Sequence, residues 1–227
     1  MTVWAVVPAA GSGQRMCRAT PKQFLDVGGR PLLVWTLAAL AVEPRIAGVM
    51  LALPAGAALP DLPLPGLPIQ RCDGGATRQQ SVLAALDALA ARGLPESTTV
   101  LVHDAARPLL PAADLAALLD CPAECAILAA AMADTVKQDD GAGHVAATLP
   151  RERLWRALTP QRAPLGLLRR ALAEAEAAGV GVTDEAQALE RLGLPVRLVP
   201  GSALNFKITT PDDLRLADAL LSVRESP

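Results

Sequence analysis

Histidine is scarce in this sequence, and cysteine lacks the spacing of a metal site. The two histidines, His103 and His144, leave no plausible Ser-His-Asp triad. The four cysteines form no Cys-x-x-Cys pair and lie near no histidine cluster, which disfavours both zinc and a disulfide framework. We therefore expect reduced cysteines that pack as small hydrophobic side chains.

Long apolar runs and a strong net charge are also absent. No apolar stretch approaches the length of a membrane span, and the N-terminus lacks the basic region and cleavage pattern of a signal peptide. The formal net charge of -2 creates no overall field that would attract nucleic acid or an anionic membrane. We therefore expect a soluble, cytoplasmic protein with no nucleic acid and no membrane as partner.

The sequence does have the composition and the alternation of a large α/β protein. Apolar residues make up 52% of the 227 residues, enough for a substantial core. Strand-like and helix-like segments alternate, a pattern typical of a mostly parallel sheet. We predict one α/β domain over residues 1–227, Rossmann-like, with helices on both faces of the sheet. Its predicted elements include a strand at Ile46–Leu53 and helices at Pro31–Glu43 and Val82–Ala91.

A loop of small residues after the first strand is a candidate phosphate site. The apolar run Val3–Val7 predicts a buried parallel strand, and Gly11 and Gly13 follow it. Glycine accepts a positive φ and has no Cβ, so the backbone can approach a ligand and direct several N–H groups at it. Arg15 and Lys22 place two cations just beyond the loop. Together these features favour a polyphosphate ligand over a turn whose glycines serve geometry alone.

Two well-known phosphate-binding motifs do not fit that loop. A dinucleotide fingerprint needs a third glycine three residues after the second, where Met16 stands. A P-loop needs a closing Gly-Lys-Ser/Thr, and no such triplet follows Gly13. If the loop binds phosphate, it does so by another arrangement.

A second glycine turn precedes the helix predicted at Val82–Ala91. Gly74 and Gly75 begin this turn, and Arg78 and Ser81 are the polar side chains within its reach. A helix N-terminus offers backbone amides and the positive end of a dipole to an anion or a base edge. The turn is therefore a second candidate for nucleotide contacts.

A carboxylate follows the strand predicted at Thr98–Val102. Asp104 stands at the C-terminal edge of that strand, where ligands bind in open α/β sheets. Its carboxylate could meet a magnesium ion, directly or through water, or a ribose hydroxyl. An ordinary ion pair with Arg107 is the alternative. We expect the neighbouring His103 to be a packed or capping histidine and not a base.

The alternation of strand-like and helix-like segments breaks at residues 133–150. The pattern of this segment predicts a projecting β-hairpin arm with a polar tip. An isolated hairpin is marginally stable, so this arm should pack against another surface. Thr135 lies at its start and Arg151 directly after it. Three arginines within six residues usually form a solvated face, but Arg151 beside the arm could clamp a substrate phosphate.

Two helix starts are predicted in the C-terminal part. Thr183 is a plausible N-cap with acidic residues in the following turn, which suffices as a structural explanation. Thr210, Pro211 and Asp213 form a start of the capping-box type. Lys207 precedes that second start on an extended segment. A lone lysine is normally a surface charge. Here Lys207 is a candidate phosphate ligand, because the chain contains several other candidate phosphate-binding elements.

These motifs together resemble the 2-C-methyl-D-erythritol 4-phosphate cytidylyltransferase family of the non-mevalonate isoprenoid pathway. The resemblance spans residues 9–214 and includes the first loop with Pro-Lys-Gln, the Gly-Gly, Arg and Ser spacing, His-Asp-Ala-Ala-Arg-Pro, Asp-Thr-x-Lys, Thr-Pro-Gln, Thr-Asp-Glu-Ala and Asn-x-Lys-x-Thr-x-Pro-x-Asp-Leu. Three positions depart from the family pattern. Ala76 replaces an acidic residue, Gln138 a basic one and Ala163 an aromatic one.

The resemblance implies transfer of CMP from CTP to methylerythritol phosphate, with Mg²⁺ or another divalent cation as cofactor. It also implies a homodimer in which the arm embraces the second subunit. Ionised phosphate is already a nucleophile, so the reaction needs positioning and charge neutralisation instead of a base. The implied catalytic residues are Arg15, Lys22, Arg151 and Lys207. The implied nucleotide-binding residues are Ala9, Ala10, Gly11, Gly13, Gly75, Arg78, Ser81, Asp104 and Ala105. The implied substrate-binding residues are Asp104, Arg107, Thr135, Arg151, Thr159 and Lys207, and Asp104 is also the implied metal ligand.

Three other functions stay open at this point. A cytidylyltransferase for another polyol phosphate, such as ribitol 5-phosphate, would use the same fold and chemistry. A non-catalytic nucleotide-binding regulator would have no reason to carry Lys22, Arg151 and Lys207 together. A structural dimerisation protein is the third alternative, and pyrophosphate release separates both non-enzymes from the enzymes.

Overall fold

The structure is a computed structural model that describes residues 2–11, 21–57 and 66–225. The side chains of Lys22 and of residues 223–225 also lie outside this description.

The central sheet combines six parallel strands with one antiparallel strand. Its members are β1 (Val3–Pro8), β4 (Ile46–Leu53), β5 (Ile69–Asp73), β6 (Thr99–Val102), β7 (Ala126–Ala131), β10 (Trp155–Pro164) and β11 (Arg197–Pro200). Their order across the sheet is β11-β7-β10-β6-β1-β4-β5. Strand β10 is antiparallel to both of its neighbours, whereas the other pairings are parallel.

Helices pack on both faces of the sheet, which confirms the predicted fold class. They are α1 (Leu32–Ala41), α2 (Arg78–Ala91), α3 (Ala112–Asp120), α4 (Leu165–Ala177), α5 (Glu185–Arg191) and α6 (Pro211–Glu225). Because successive strand residues point to opposite faces, Val7 of β1 packs with Leu33 of α1, while Val6 packs with Leu86 of α2. Among the described residues no helix combines the length and the hydrophobicity needed to cross a membrane.

Two small antiparallel pairs lie outside the central sheet. Strands β2 (Asp26–Val27) and β3 (Arg30–Pro31) pair with each other just before α1. Strands β8 (Val136–Asp139) and β9 (Val145–Leu149) form a hairpin within the segment predicted to be an arm. Most residues of this hairpin are exposed on the single chain. A role of the hairpin in dimerisation stays a prediction.

Helix α1 begins at Leu32, one residue after the predicted start, and two further helix starts differ because of their N-caps. Helix α2 begins at Arg78, four residues before the predicted Val82, because Thr77 is its N-cap and forms a capping box with Gln80. The predicted N-cap Thr183 is wrong. Asp184 caps α5 instead, since its Oδ1 accepts a hydrogen bond from the Gln187 amide at 2.9 Å.

Candidate active site

A polar cavity of about 230 Å³ lies beside the ends of several strands, and we call it the Asp104 cavity. The residues that follow β5, β6 and β11 contribute to its wall, together with the middle of β10 and the segment before α5. This is the position at which open α/β sheets bind ligands. The residues that line it are Arg78, Asp104, Arg107, Ala157, Leu158, Thr159, Gln161, Thr183, Asp184 and Lys207.

Three cations meet the buried carboxylate of Asp104. The Arg78 Nε atom lies 2.9 Å from Oδ1, and Lys207 Nζ lies 3.0 Å from Oδ2. Arg107 Nε is 3.3 Å from the same Oδ2 atom. The sequence alternative of a simple Asp104–Arg107 pair therefore describes only one of three contacts. The structure thus brings together four of the predicted site residues, which come from three distant parts of the sequence.

The three cations control the ionisation of Asp104. Burial alone would raise the pKa of this carboxyl, but the nearby charges of Arg78, Lys207 and Arg107 hold its pKa far below the usual value. Burial likewise opposes the charge of Arg78, yet Glu185 and Asp104 raise the pKa of that guanidinium. Burial lowers the pKa of Arg107 despite its contact with Asp104. Asp104 is therefore an anion near neutral pH.

Arg78 also binds a second carboxylate, that of Glu185. The guanidinium donates from Nη1 to Oε1 at 2.7 Å and from Nη2 to Oε2 at 3.0 Å, a bidentate arrangement. Glu185 is only 1% exposed and is the first residue of α5. Sequence analysis missed this residue, because an acidic residue in the first turn of a helix is sufficiently explained by the helix dipole. Its only signal was the Thr-Asp-Glu-Ala string.

Thr159 is joined to Asp104 and His103 by hydrogen bonds. The Asp104 amide donates to Thr159 Oγ1 at 3.1 Å, and that oxygen lies 2.9 Å from His103 Nδ1. The other ring nitrogen of His103 lies 3.1 Å from the Arg107 carbonyl oxygen. Burial lowers the pKa of His103 to about 4, so the ring is neutral near pH 7. The prediction of a packed histidine agrees with this geometry.

The side chains of Gln161 and Asn205 form hydrogen bonds that connect the segments around the cavity. Sequence analysis assigned no role to either residue. Gln161 donates from Nε2 to Asp184 Oδ2 at 3.0 Å and accepts from the Ala186 amide at 2.8 Å, which joins β10 to the start of α5. Asn205 donates from Nδ2 to the Thr159 carbonyl at 2.7 Å. These contacts explain why the Thr-Pro-Gln and Asn-x-Lys strings lie close in space.

The start of the first loop lies against the second glycine turn. The Ala9 amide donates to Ala52 at 2.8 Å within the sheet, so it is committed to a protein partner. Gln23 Nε2 donates to the Ala9 carbonyl at 2.7 Å and to the Gly11 carbonyl at 3.2 Å. The predicted phosphate contacts of Gly13, Arg15 and the Lys22 side chain lie outside the described residues. Ala10 and Gly11 remain candidates for backbone contacts.

The second turn has no room for larger residues. A Cβ at Gly74 would lie 2.5 Å from Ala10 Cβ, and one at Gly75 would lie 2.3 Å from Gln80 Cβ. Ser81 Oγ accepts from the Gly75 amide at 3.1 Å and donates to the Thr77 carbonyl at 2.8 Å. Ser81 therefore holds the turn in shape, which is a supporting role beside the nucleotide contact that was predicted for it.

Three other predicted residues lie outside the Asp104 cavity. Ala105 is buried, and its carbonyl accepts from Thr36 Oγ1 at 2.9 Å. Thr135 is exposed before β8, and Arg151 donates to the Ala133 carbonyl across the base of the hairpin. Within one chain, Thr135 and Arg151 do not line the cavity that contains Lys207.

The side chains of the described residues offer little to a metal ion. Across residues 2–11, 21–57 and 66–225 there is no group of three or more His, Cys, Asp or Glu residues that could hold one. Asp104, the predicted ligand, has both oxygens engaged by cations. Because Mg²⁺ is commonly bound by one or two carboxylates plus substrate phosphates, this donor set fits an ion that is held mainly by the nucleotide.

Known proteins resemble this chain over nearly its whole length. A family model described as 2-C-methyl-D-erythritol 4-phosphate cytidylyltransferase matches residues 3–223. A protein of that name from Xanthomonas campestris pv. campestris (strain 8004) is 50% identical over 233 residues, which cover 99% of this chain and 86% of the relative. Another from Xanthomonas euvesicatoria pv. vesicatoria (strain 85-10) is 51% identical over 226 residues, covering 94% and 82%.

Solved structures give the same result. The crystal structure of the enzyme of that name from Thermus thermophilus has a TM-score of 0.80 and 40% identity, covering 97% of this chain and 98% of the other. The Francisella tularensis structure has a TM-score of 0.81 and 32% identity, covering 96% and 99%. The resemblance that the motifs predicted is confirmed. This chain belongs to the 2-C-methyl-D-erythritol 4-phosphate cytidylyltransferase family.

Proposed function

We propose that this protein transfers CMP from CTP to 2-C-methyl-D-erythritol 4-phosphate, giving 4-diphosphocytidyl-2-C-methyl-D-erythritol and pyrophosphate in isoprenoid precursor biosynthesis. The family supports this activity. The structural observation that carries the proposal is the convergence of Arg78, Arg107 and Lys207 on Asp104 in one polar cavity. A cluster of three cations is suited to a substrate that carries phosphate.

The reaction is an in-line displacement at phosphorus. A phosphate oxygen of the polyol phosphate forms a bond to the α-phosphorus of CTP. The bond between that phosphorus and the bridging oxygen breaks, and pyrophosphate leaves with the electron pair. The attacking phosphate is ionised at neutral pH, so no side chain has to remove a proton. The neutral, buried His103 agrees with this absence of a base, because both of its ring nitrogens are bonded within the protein.

The cations divide between the two substrates. Lys207 is the most exposed of the three cations around Asp104, so it is the one best placed to transfer to an incoming phosphate. Arg107 donates a hydrogen bond to the Asn205 carbonyl at 2.7 Å, which holds its guanidinium in place. Arg107 would therefore support the phosphate-binding position of Lys207 without moving. Arg15 and Lys22 would stabilise the charge that gathers on the equatorial oxygens of the α-phosphate. Ala10, Gly11 and Gly13 would direct amides at the triphosphate.

Magnesium belongs to the nucleotide in this proposal. Mg²⁺ bound to the triphosphate would neutralise its charge, and Asp104 is the described carboxylate that could hold the ion or its water. No metal-binding role is assigned to other described residues, in keeping with the lack of an acidic cluster among them.

The second subunit supplies the remaining contacts. Thr135 and Arg151 lie on or beside the β8–β9 hairpin and away from the Asp104 cavity of their own chain. We place them at the cavity of the partner in a homodimer, where Arg151 would orient the attacking phosphate. The site of action that we propose is the cytoplasm.

A pyrophosphate-release assay tests the activity. The protein is given each of four nucleoside triphosphates with Mg²⁺, together with methylerythritol phosphate or ribitol 5-phosphate. We expect release only with CTP and methylerythritol phosphate. Release with ribitol 5-phosphate alone would contradict the assignment of the substrate, and no release with any pair would contradict the enzymatic function itself.

A further inference from the structure

His103 is a buried histidine for which the mechanism has no use. It is 0% exposed and directly precedes Asp104. Both of its ring nitrogens have partners, at Arg107 and Thr159. The pattern of donors and acceptors around this ring determines where its proton lies.

The Arg107 carbonyl oxygen can only accept a hydrogen bond, so His103 Nε2, 3.1 Å away, must carry the proton. In a neutral ring the other nitrogen, Nδ1, is then an acceptor. Thr159 Oγ1 lies 2.9 Å from Nδ1 and must donate its hydroxyl proton to it. The ring is fully buried and its two nitrogens contact a carbonyl and a hydroxyl, with no carboxylate of the described residues bonded to either nitrogen, so this environment favours the neutral form.

The hydroxyl of Thr159 therefore has no proton left for a ligand. One of its two lone pairs accepts the Asp104 amide hydrogen at 3.1 Å, and the other remains. Thr159 also lines the Asp104 cavity. At this point the cavity can accept a hydrogen bond but cannot donate one.

We propose that His103 is a positioning residue that makes Thr159 an obligate acceptor, so that this part of the cavity binds a hydroxyl group of the polyol and rejects a phosphate oxygen. This inference rests on the proposed function, because it concerns the orientation of that substrate. A phosphate oxygen is itself an acceptor and would face the lone pair of Thr159 with no proton between them. The substrate would thus bind with its hydroxyl groups toward Thr159 and its phosphate toward Lys207.

Two substitutions of His103 separate this role from packing. In His103→Asn the side-chain oxygen can replace Nδ1 as the acceptor, whereas His103→Leu has no acceptor and leaves the Thr159 proton free. We expect the leucine variant to raise the KM for methylerythritol phosphate about tenfold, with the KM for CTP changed less than twofold. The asparagine variant should recover most of the loss. Arg215→Leu, at an exposed position of α6 outside the cavity and the hairpin, is the control.

A double variant tests whether His103 acts through Thr159. Thr159→Val alone should raise the KM for the polyol phosphate, and adding His103→Leu should raise it no further. Equal losses in the asparagine and leucine variants, or independent losses in the double variant, would overturn the proposal. Activity of the wild-type protein in the same assay separates this failure from failure of the proposed function.

The tautomer can be measured in the wild-type protein without any variant. With ¹⁵N-labelled histidine, NMR should show that the His103 ring has a proton on Nε2 and a bare Nδ1 at pH 7. A proton on Nδ1 would overturn the proposal even if His103→Leu did not fold. The signals of His144 serve as the reference for an exposed histidine.

Discussion

Arg78 and Glu185 form two parallel hydrogen bonds across 107 positions of the sequence. The same guanidinium donates from Nε to Asp104 at 2.9 Å, so one arginine links the start of α5 to the centre of the cavity. All three nitrogens of the guanidinium are thereby engaged by carboxylates. In the ligand-free protein, Arg78 therefore acts first as an organiser of Asp104.

Glu185→Gln should weaken catalysis through Arg78. The amide retains one acceptor but removes the charge and the second acceptor, and a broken buried ion pair costs several kcal/mol when one partner remains charged. We expect kcat/KM to fall by about 10–100-fold, together with a lower midpoint of urea unfolding. Glu190→Gln, an exposed position on the same helix, is the control. Wild-type kinetics in the Glu185 variant would mean that the ion pair is irrelevant to the site.

Lys22→Ala tests the catalytic assignment of the first loop. Loss of one group that stabilises transition-state charge typically lowers kcat by about 10²–10³. We expect that loss in steady-state turnover, with little change in thermal stability. Arg170→Ala on the exposed face of α4 removes a cation of no catalytic role and should leave kcat unchanged. A wild-type kcat for the Lys22 variant would disprove the assignment.

Lys207→Ala should act mainly on the polyol phosphate. The ammonium is the most exposed cation of the three around Asp104, and its removal deletes the charge available to the incoming phosphate. We expect the KM for methylerythritol phosphate to rise at least tenfold, with a smaller change for CTP. The exposed cation Arg215 on α6 provides the matched control, Arg215→Ala. An unchanged KM in the Lys207 variant would reject the placement.

Mixing two impaired variants, assayed with methylerythritol phosphate well below their raised KM, tests whether Arg151 acts across a dimer. Arg151→Ala and Lys207→Ala subunits are unfolded, mixed and refolded so that hybrid dimers form. If Arg151 serves the partner, one cavity of each hybrid has both intact residues, and activity should return to about a quarter of the wild-type value in an equal mixture. If Arg151 serves its own chain, every cavity lacks one residue and no activity returns. Size-exclusion chromatography of each variant verifies the dimer on which the test depends.

Burial of His103 should make the protein less stable in mild acid. Its pKa is about 4 in the fold and 6.5 in the reference state, so the unfolded chain binds more protons between these two values. Stability contributed by the neutral histidine is complete above pH 6.5 and is lost as the pH falls toward 4, by on the order of 3 kcal/mol. Urea unfolding of the wild type and His103→Asn at several pH values measures this difference. Parallel curves for the two proteins would contradict it.

The sequence was sufficient for the parts of the fold that have a local signal. Strand Ile46–Leu53 has the predicted bounds, and Thr210 caps α6 with Asp213 as predicted, since the Asp213 amide donates to Thr210 Oγ1 at 3.2 Å. Strand β10 had no such signal, because its sequence contains arginine and proline. Arg162 is tolerated there, buried, because it donates to the carbonyls of Leu118, Leu119 and Cys121 near the end of α3, at 2.9 Å each. Only the tertiary structure reveals those acceptors.

The candidate site was predictable where a residue type was unusual for its position. Asp104 follows a strand at the edge where open α/β sheets bind ligands, and this position favoured a ligand contact over a simple pair with Arg107. Lys207 precedes a helix in a chain that has other candidate phosphate-binding residues. The links of Glu185 and His103 to the site were missed for the opposite reason, because a helix start and a packed ring explained these residues locally. Their roles depend on partners from other elements, which a single sequence does not disclose.

Asp104 has a consequence for how the protein exchanges its ligands. The three cations are already paired with the Asp104 carboxylate, an anion that belongs to the same chain. At the proposed site, an incoming phosphate would therefore have to replace a competitor that is always present at a high effective concentration. We expect the same carboxylate to return to the cations as the product departs. This competition weakens the binding of the phosphate-bearing ligand. It lowers the free energy needed to release that ligand by the same amount.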